Sequence, residues 1–211
     1  VLQVVPGIRI AAPRDAETLR EELGEAIAID DAPTVIRFPK GKVGADIPAV
    51  RRTADGVDVL RDAPHKDVLI VAVGPFAALA LDVAARLADQ GIGATVIDPR
   101  WVVPTPKSIV GLADEHRLVV SIEDGVRVGG VGTRIRQDLR AAGVDTGLTE
   151  LGLPAEFLDH ASRDEILESV GLSAQAIARD VVAQVLGSRI PVAKPLADSA
   201  DHVAVDVPHE R

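Results

Sequence analysis

The sequence predicts an α/β fold, with a doubly wound domain over about Asp67 to Gly187 preceded by the end of a second α/β unit. Three observations carry this reading. Val68-Leu69-Ile70-Val71-Ala72-Val73-Gly74 is continuously apolar, as suits a strand covered on both faces. From there on, strand-type and helix-type segments alternate, the pattern of a parallel sheet wrapped by helices. A strand–helix–strand unit already occupies the first 38 residues or so.

The elements follow in order. Val4-Val5-Pro6-Gly7 reads as a turn, and Ile8 to Pro13 as a short buried strand. Asp15 is placed to cap a helix from about Ala16 to Ile29, with Thr18, Leu19, Leu23 and Ile27 on its periodic face. Asp30-Asp31-Ala32-Pro33 ends it, and Thr34 to Phe38 is the next strand. Residues 43–66 mix Pro, Asp, Arg and Gly without an apolar period; 49–66 is expected to be a linker with a short strand or hairpin near Val57 to Leu60. After the strand at Val68, a helix is expected from about Pro75 to Gln90, closed by Gly91. Strand Ala94 to Asp98, helix Pro106 to His116 and strand Leu118 to Glu123 come next. Gly129-Gly130-Val131-Gly132 opens a helix to about Ala142, Leu148 to Leu151 is a strand, and helices near Arg163–Val170 and Ala174–Leu186 close the domain. Residues 188–211 carry three prolines and many charges, and a mobile tail is expected there.

Composition narrows the function. With 47% hydrophobic and 26% charged residues the chain can build a core, but at 2% aromatic that core must be aliphatic. A net charge of −9 argues against a general nucleic-acid or anionic-membrane surface. There is no cysteine, which excludes disulfides and thiolate metal sites, and the five histidines form no zinc-binding pair at helical spacing. No apolar run approaches the roughly 20 residues of a membrane span and no leader is visible, so a cytoplasmic location is expected. There is no methionine either, which predicts that Val1 is not an encoded start and that the chain is a piece of a longer polypeptide.

Four constellations invite chemistry. Arg37-Phe38-Pro39-Lys40-Gly41-Lys42 sets cations where a strand runs out, and Pro39 forces the backbone off the ladder. Arg37 as a planar fork and Lys40 as a point charge are suited to one anion, a phosphate or carboxylate. Glu123-Asp124, followed by Gly129, Gly130 and Gly132, puts carboxylates at a strand end before a pliant stretch that another backbone can approach. Glu123 reads as an acid catalyst or, preferably, as a structural carboxylate at an interface or helix N-terminus. Asp98-Pro99-Arg100-Trp101 reads as an ion pair under a stacked indole. His160 sits in a loop before a helix and reads as a cap or surface residue. Gly74 lacks the two further glycines of a dinucleotide-binding turn, and no Ser/His/Asp set can be assembled.

From about Val5 to Val185 these blocks together resemble the C-terminal part of the 1-deoxy-D-xylulose-5-phosphate synthases, thiamine-diphosphate enzymes of the transketolase superfamily. The resemblance rests on Pro6 to Asp15, Ile36 to Gly41, Ile97 to Pro104, Glu123-Asp124 with Gly129 to Gly132, and above all Gly152-Leu153-Pro154-Ala155-Glu156-Phe157 through His160-Ala161-Ser162-Arg163 to Gly171-Leu172. It implies that residues 1–48 end a pyrimidine-binding domain and that 67–187 form a transketolase C-terminal domain. It also implies a homodimer working on pyruvate and glyceraldehyde 3-phosphate. Thiamine diphosphate and Mg²⁺ are the implied cofactors, with the diphosphate and metal sites outside this chain and no catalytic residue within it. Lys40 takes the place of the family's phosphate-binding basic residue, commonly Arg, with Arg37 beside it. Two other readings compete: a separate β-type subunit like those of the 2-oxo-acid dehydrogenases, and a non-catalytic dimerisation or regulatory module.

Overall fold

The computed structural model describes residues 2–187, so the expected tail at 188–211 lies outside the described residues. Strand β1 (Arg9–Ala11) leads into helix α1 (Ala16–Ala28), and β2 (Thr34–Ile36) returns parallel to β1. Asp15 caps α1 reciprocally with Thr18, its side chain accepting from the Thr18 amide at 2.8 Å. The hairpin β3 (Arg51–Arg52) and β4 (Asp58–Arg61) follows, then β5 (Val68–Ala72), a 3₁₀ turn at Gly74–Phe76 and helix α2 (Ala77–Asp89). Next come β6 (Ala94–Asp98), β7 (Trp101–Val103), α3 (Ser108–Asp114), β8 (Leu118–Val126), α4 (Val131–Ala141) and β9 (Gly147–Leu153). Helices α5 (Arg163–Ser169) and α6 (Ala174–Val185) end the described chain.

The strands form two sheets. The larger has the order β3-β4-β6-β5-β8-β9, with β6, β5, β8 and β9 parallel and the β3–β4 hairpin antiparallel at one edge. Its order reverses at β5, which is buried at every position. Val68, Ile70 and Ala72 face one core with α2 and α6, while Leu69, Val71 and Val73 face a second core with Ile10, Ile109 and Ile135. Both faces are covered, which is why this strand reads as an unbroken apolar run rather than an alternation.

One local reading holds and one changes in three dimensions. The hairpin expected near Val57 to Leu60 is present, and its β4 pairs with β6 as part of the larger sheet, with Val57 and Val59 wholly buried. The stretch after Asp98 does not simply leave the sheet. Arg100 adopts a left-handed φ of 57° and β7 crosses to the other sheet, pairing antiparallel with β1. The smaller sheet, β2-β1-β7, is thus stitched from the start and the middle of the sequence. Such a crossing is invisible to local periodicity because its partner strand lies about 90 residues upstream.

Candidate functional site

The Lys40 loop starts where β2 gives out. The Arg37 amide makes a last bond to the Ala11 carbonyl at 2.9 Å, and Pro39 then has no N–H to continue the ladder. Lys40 is exposed on the wall of a cleft of about 400 Å³ whose other walls include Pro39, Leu153, Leu158, Arg163 and Ile166. Lys66, bonded to Asp62, is the ion-paired lysine among the described residues; Lys40 keeps its charge unpaired. Arg37 goes elsewhere. Its guanidinium lies beside Gly125, 3.6 Å from where a Cβ on that glycine would stand, and its charge acts on Glu123. The structure therefore does not bring Arg37 and Lys40 onto one cleft.

Glu123, in the second half of β8, is 4% exposed and accepts from the backbone amides of Val131 and Gly132, each at 3.0 Å. It occupies the N-terminus of α4, where peptide N–H groups and the helix dipole favour an anion. Burial pushes its carboxyl above the usual range, opposed by those two amides and by Arg37. The glycines have individual reasons. A Cβ on Gly130 would overlap the Glu123 carboxylate, and one on Gly132 would overlap the Ser121 hydroxyl, so both approaches are filled by this chain's own side chains. Gly129 turns with φ 74°, and a Cβ on it would meet open space. Asp124 pairs with Arg163 at 3.1 Å. His160 is exposed between β9 and α5, and the cap of α5 is Ser162.

Asp98 and Arg100 are both buried, but their side chains do not pair with each other, which corrects the expected ion pair under a stacked indole. Asp98 accepts from Arg14 at 2.8 Å and from the Arg100 amide at 2.9 Å. The Arg100 guanidinium reaches back to α1, to Glu25 at 2.5 Å and Glu21 at 3.2 Å, and the Trp101 indole N–H donates to Glu25 at 2.6 Å. The physical reason is the crossing of β7, which carries Arg100 and Trp101 onto the α1 side. Arg14 also donates to Asp58 at 2.7 Å, and Arg52 holds Asp58 from the hairpin. These groups form an ionic seam between the first unit and the larger sheet. Asp58, with two guanidinium partners, is held below the usual carboxylate range, whereas burial raises fully dehydrated Asp98 to about 6. Glu22 lies in the same seam, wholly buried, with neither oxygen hydrogen-bonded among the described residues. Burial, reinforced by Asp98, raises it to about 9, so it is a neutral acid at pH 7.

The seam was not legible as a site because its partners lie far apart in sequence: Arg14 to Asp58 spans 44 residues and Arg14 to Asp98 spans 84. Arg163, a wall of the Lys40 cleft, belongs in the sequence to the block from Gly152 to Leu172 and has no motif of its own. An Arg in the first turn of a helix, where anions are normally preferred, was the available signal.

The described residues do not fit a diphosphate or metal cradle. The crevice beyond β5, where strand order reverses and α/β sheets usually bind ligands, is closed by Ala12 and Pro13, whose carbonyls stand 3.4 Å from a Cβ on Gly74. The first amides of α4 are taken by Glu123. No group of three or more acidic or histidine side chains able to hold a metal occurs among the described residues. No helix among them is long and apolar enough to cross a membrane.

Residues 57–177 match the family described as "Transketolase, C-terminal domain", which is more than half of the chain. The chain belongs to the transketolase C-terminal domain family. Solved structures agree with the assignment. A split-gene transketolase, described as an inactive β4 tetramer, superposes with a TM-score of 0.75 at 25% identity, covering 88% of this chain and 60% of that one. Transketolase from Pichia stipitis gives a TM-score of 0.68 at 16% identity over 89% of this chain and 26% of its own, a likeness of fold alone. Among curated proteins, 1-deoxy-D-xylulose-5-phosphate synthase of Clavibacter sepedonicus is 69% identical over 203 residues, 96% of this chain and 31% of the relative. The synthase of Leifsonia xyli is 69% identical over 93% of this chain and 30% of its own length. This transketolase C-terminal domain chain thus spans about a third of the curated relatives it matches.

Proposed function

We propose that this chain is part of a 1-deoxy-D-xylulose-5-phosphate synthase. In this reading the enzyme condenses pyruvate with glyceraldehyde 3-phosphate, releases CO₂ and feeds isoprenoid and thiamine biosynthesis. The observation that carries the reading is 69% identity over 96% of the chain to a protein of that name. The remaining domains of the polypeptide hold thiamine diphosphate and Mg²⁺, and the thiazolium, when bound, supplies the carbanion chemistry. Residues 1–48 complete the pyrimidine-binding domain, 67–187 form the C-terminal domain, and the protein works as a cytoplasmic homodimer.

Within this scheme the chain's own contribution is acceptor binding. Lys40 has no carboxylate partner among the described residues and lies on a partly apolar cleft, which suits a phosphate whose carbon chain points away from bulk water. Lowered local dielectric strengthens the charge–charge contact over its value in water. Arg37 adds positive potential from the same loop while its guanidinium serves Glu123. The experiment is steady-state assay of the complete polypeptide for CO₂ release and product with pyruvate and glyceraldehyde 3-phosphate. Formation of the pentulose phosphate is expected. Absence of product with this pair, in a protein competent to bind thiamine diphosphate, overturns the reading.

A further inference from the structure

We infer that Arg163, not Arg37, is the second cation of the Lys40 cleft, and that it is a specificity-determining residue for a phosphorylated acceptor. The inference rests on the reading of Lys40 given above. Arg163 and Lys40 share the cleft of about 400 Å³, and Arg37 is not among its walls; Arg163 stands on the rim between this cleft and a neighbouring one of about 590 Å³ on its Phe76 side.

Arg163 is placed by three constraints. Its backbone opens α5 directly after the Ser162 cap. One edge of its guanidinium, Nη1, holds the Asp124 carboxylate at 3.1 Å. Its face lies over the Phe76 ring, with Cζ 5.8 Å from the ring centroid, a distance at which the ring quadrupole attracts a cation. Among the described residues Asp124 is the one ion-pair partner of Arg163, and the guanidinium makes no hydrogen bond to any other. A guanidinium has five N–H donors, so a stacked, singly bridged one keeps donors for a ligand. The side chain is 41% exposed, and its exposure is consistent with that.

The chemistry of a phosphate monoester favours this pairing. A dianion with three terminal oxygens is poorly satisfied by one flexible ammonium. A planar fork alongside it adds directed donors at little conformational cost, because Asp124 and Phe76 have already ordered it. Leu153, Leu158 and Ile166 supply apolar walls that a small carbon skeleton can follow. An unphosphorylated aldehyde gains nothing from either cation, so the pair acts on the choice of acceptor.

The test uses the complete polypeptide with Arg163→Gln, Arg163→Lys, Asp124→Asn and Lys40→Gln. Each is compared on glyceraldehyde 3-phosphate and on unphosphorylated glyceraldehyde at saturating pyruvate. Losing a charge-assisted contact predicts that Arg163→Gln raises KM for the phosphorylated acceptor about tenfold or more, with kcat and the unphosphorylated aldehyde changed less than about twofold. Arg163→Lys is expected to recover part of the loss. Asp124→Asn separates the two roles: if Arg163 binds phosphate, losing the bridge that orders it raises KM for the phosphorylated acceptor by less than Arg163→Gln does and leaves the unphosphorylated aldehyde unchanged. If Arg163 merely anchors α5 to β8, Asp124→Asn and Arg163→Gln impair both acceptors alike, which overturns the inference. A normal KM in Arg163→Gln with a raised KM in Lys40→Gln overturns the inference alone. Normal acceptor kinetics in Lys40→Gln overturns the underlying reading of the cleft.

Discussion

The ionic seam and the Lys40 cleft both gather basic side chains from distant parts of the sequence, yet they differ in one decisive respect. In the seam, every guanidinium ends on carboxylates of the same chain: Arg14 on Asp58 and Asp98, Arg52 on Asp58 and Glu21, Arg100 on Glu21 and Glu25. Asp58 and Asp98 are completely shielded from solvent. In the cleft, Lys40 has no carboxylate partner among the described residues and Arg163 has one, on a single edge. Charges that close on themselves when buried hold architecture, because leaving one unpaired there costs several kcal/mol. Charges left open at a rim cost little and remain available to a ligand.

The largest effect should come from opening the seam. Arg14→Met removes the guanidinium that Asp98 depends on, and a loss of about 3–5 kcal/mol in unfolding free energy is expected near pH 8. Asp98 is already raised to about 6 by burial, so the variant recovers part of that loss as acidification neutralises Asp98. Urea unfolding at pH 8 and pH 5 checks both statements. A loss under 1 kcal/mol at pH 8 would place the seam with ordinary surface pairs.

Glu22 sharpens the same contrast. Its carboxyl sits at about 9 in the folded chain against an ordinary 4.5, so the folded state holds a proton that the unfolded state releases between those values. Stability therefore falls as pH rises through that window. Asp98 and Glu123, both raised by burial, add to the decline from the acid side and His116, lowered by burial, opposes it, so the share of Glu22 is the part that its replacement removes, at most about 1.4 kcal/mol per pH unit. Glu22→Gln keeps the shape without the proton and should flatten the curve there. Unfolding midpoints across pH 6–9 in both proteins decide it, and equal slopes would show that Glu22 is not the titrating group.

A smaller effect is expected at the turn into α4. Gly130→Val sets a Cβ against the Glu123 carboxylate and so displaces the acceptor of two helix amides, predicting a loss of about 1–3 kcal/mol in domain stability. If sedimentation shows a weakened dimer while thermal stability is unchanged, the glycine's role passes from this internal approach to a subunit contact.

How legible these regions were follows from distance along the chain. The larger sheet could be read from Val68 to Val73, and α1 from Asp15 and its capping partner Thr18, because those signals are local. The seam could not: no window contains Arg14, Asp58 and Asp98 together, and local spacing pairs Arg100 with its near neighbour Asp98 although its partners Glu21 and Glu25 are on α1. The positions of Glu123 and Gly130 were readable as a carboxylate before a glycine-rich helix start. That the carboxylate itself fills the space over the glycine required the fold. Lys40 stood out by chemistry, but its companion in the cleft comes from a helix more than a hundred residues later.

The claim that open charge marks the ligand site is tested most directly by one ratio: kcat/KM for glyceraldehyde 3-phosphate over that for unphosphorylated glyceraldehyde, in the complete polypeptide carrying Lys40→Ala. A fall of about tenfold or more relative to the parent is predicted, equal to roughly 1.4 kcal/mol of lost phosphate contact. An unchanged ratio, or a loss shared equally by both aldehydes, would contradict it.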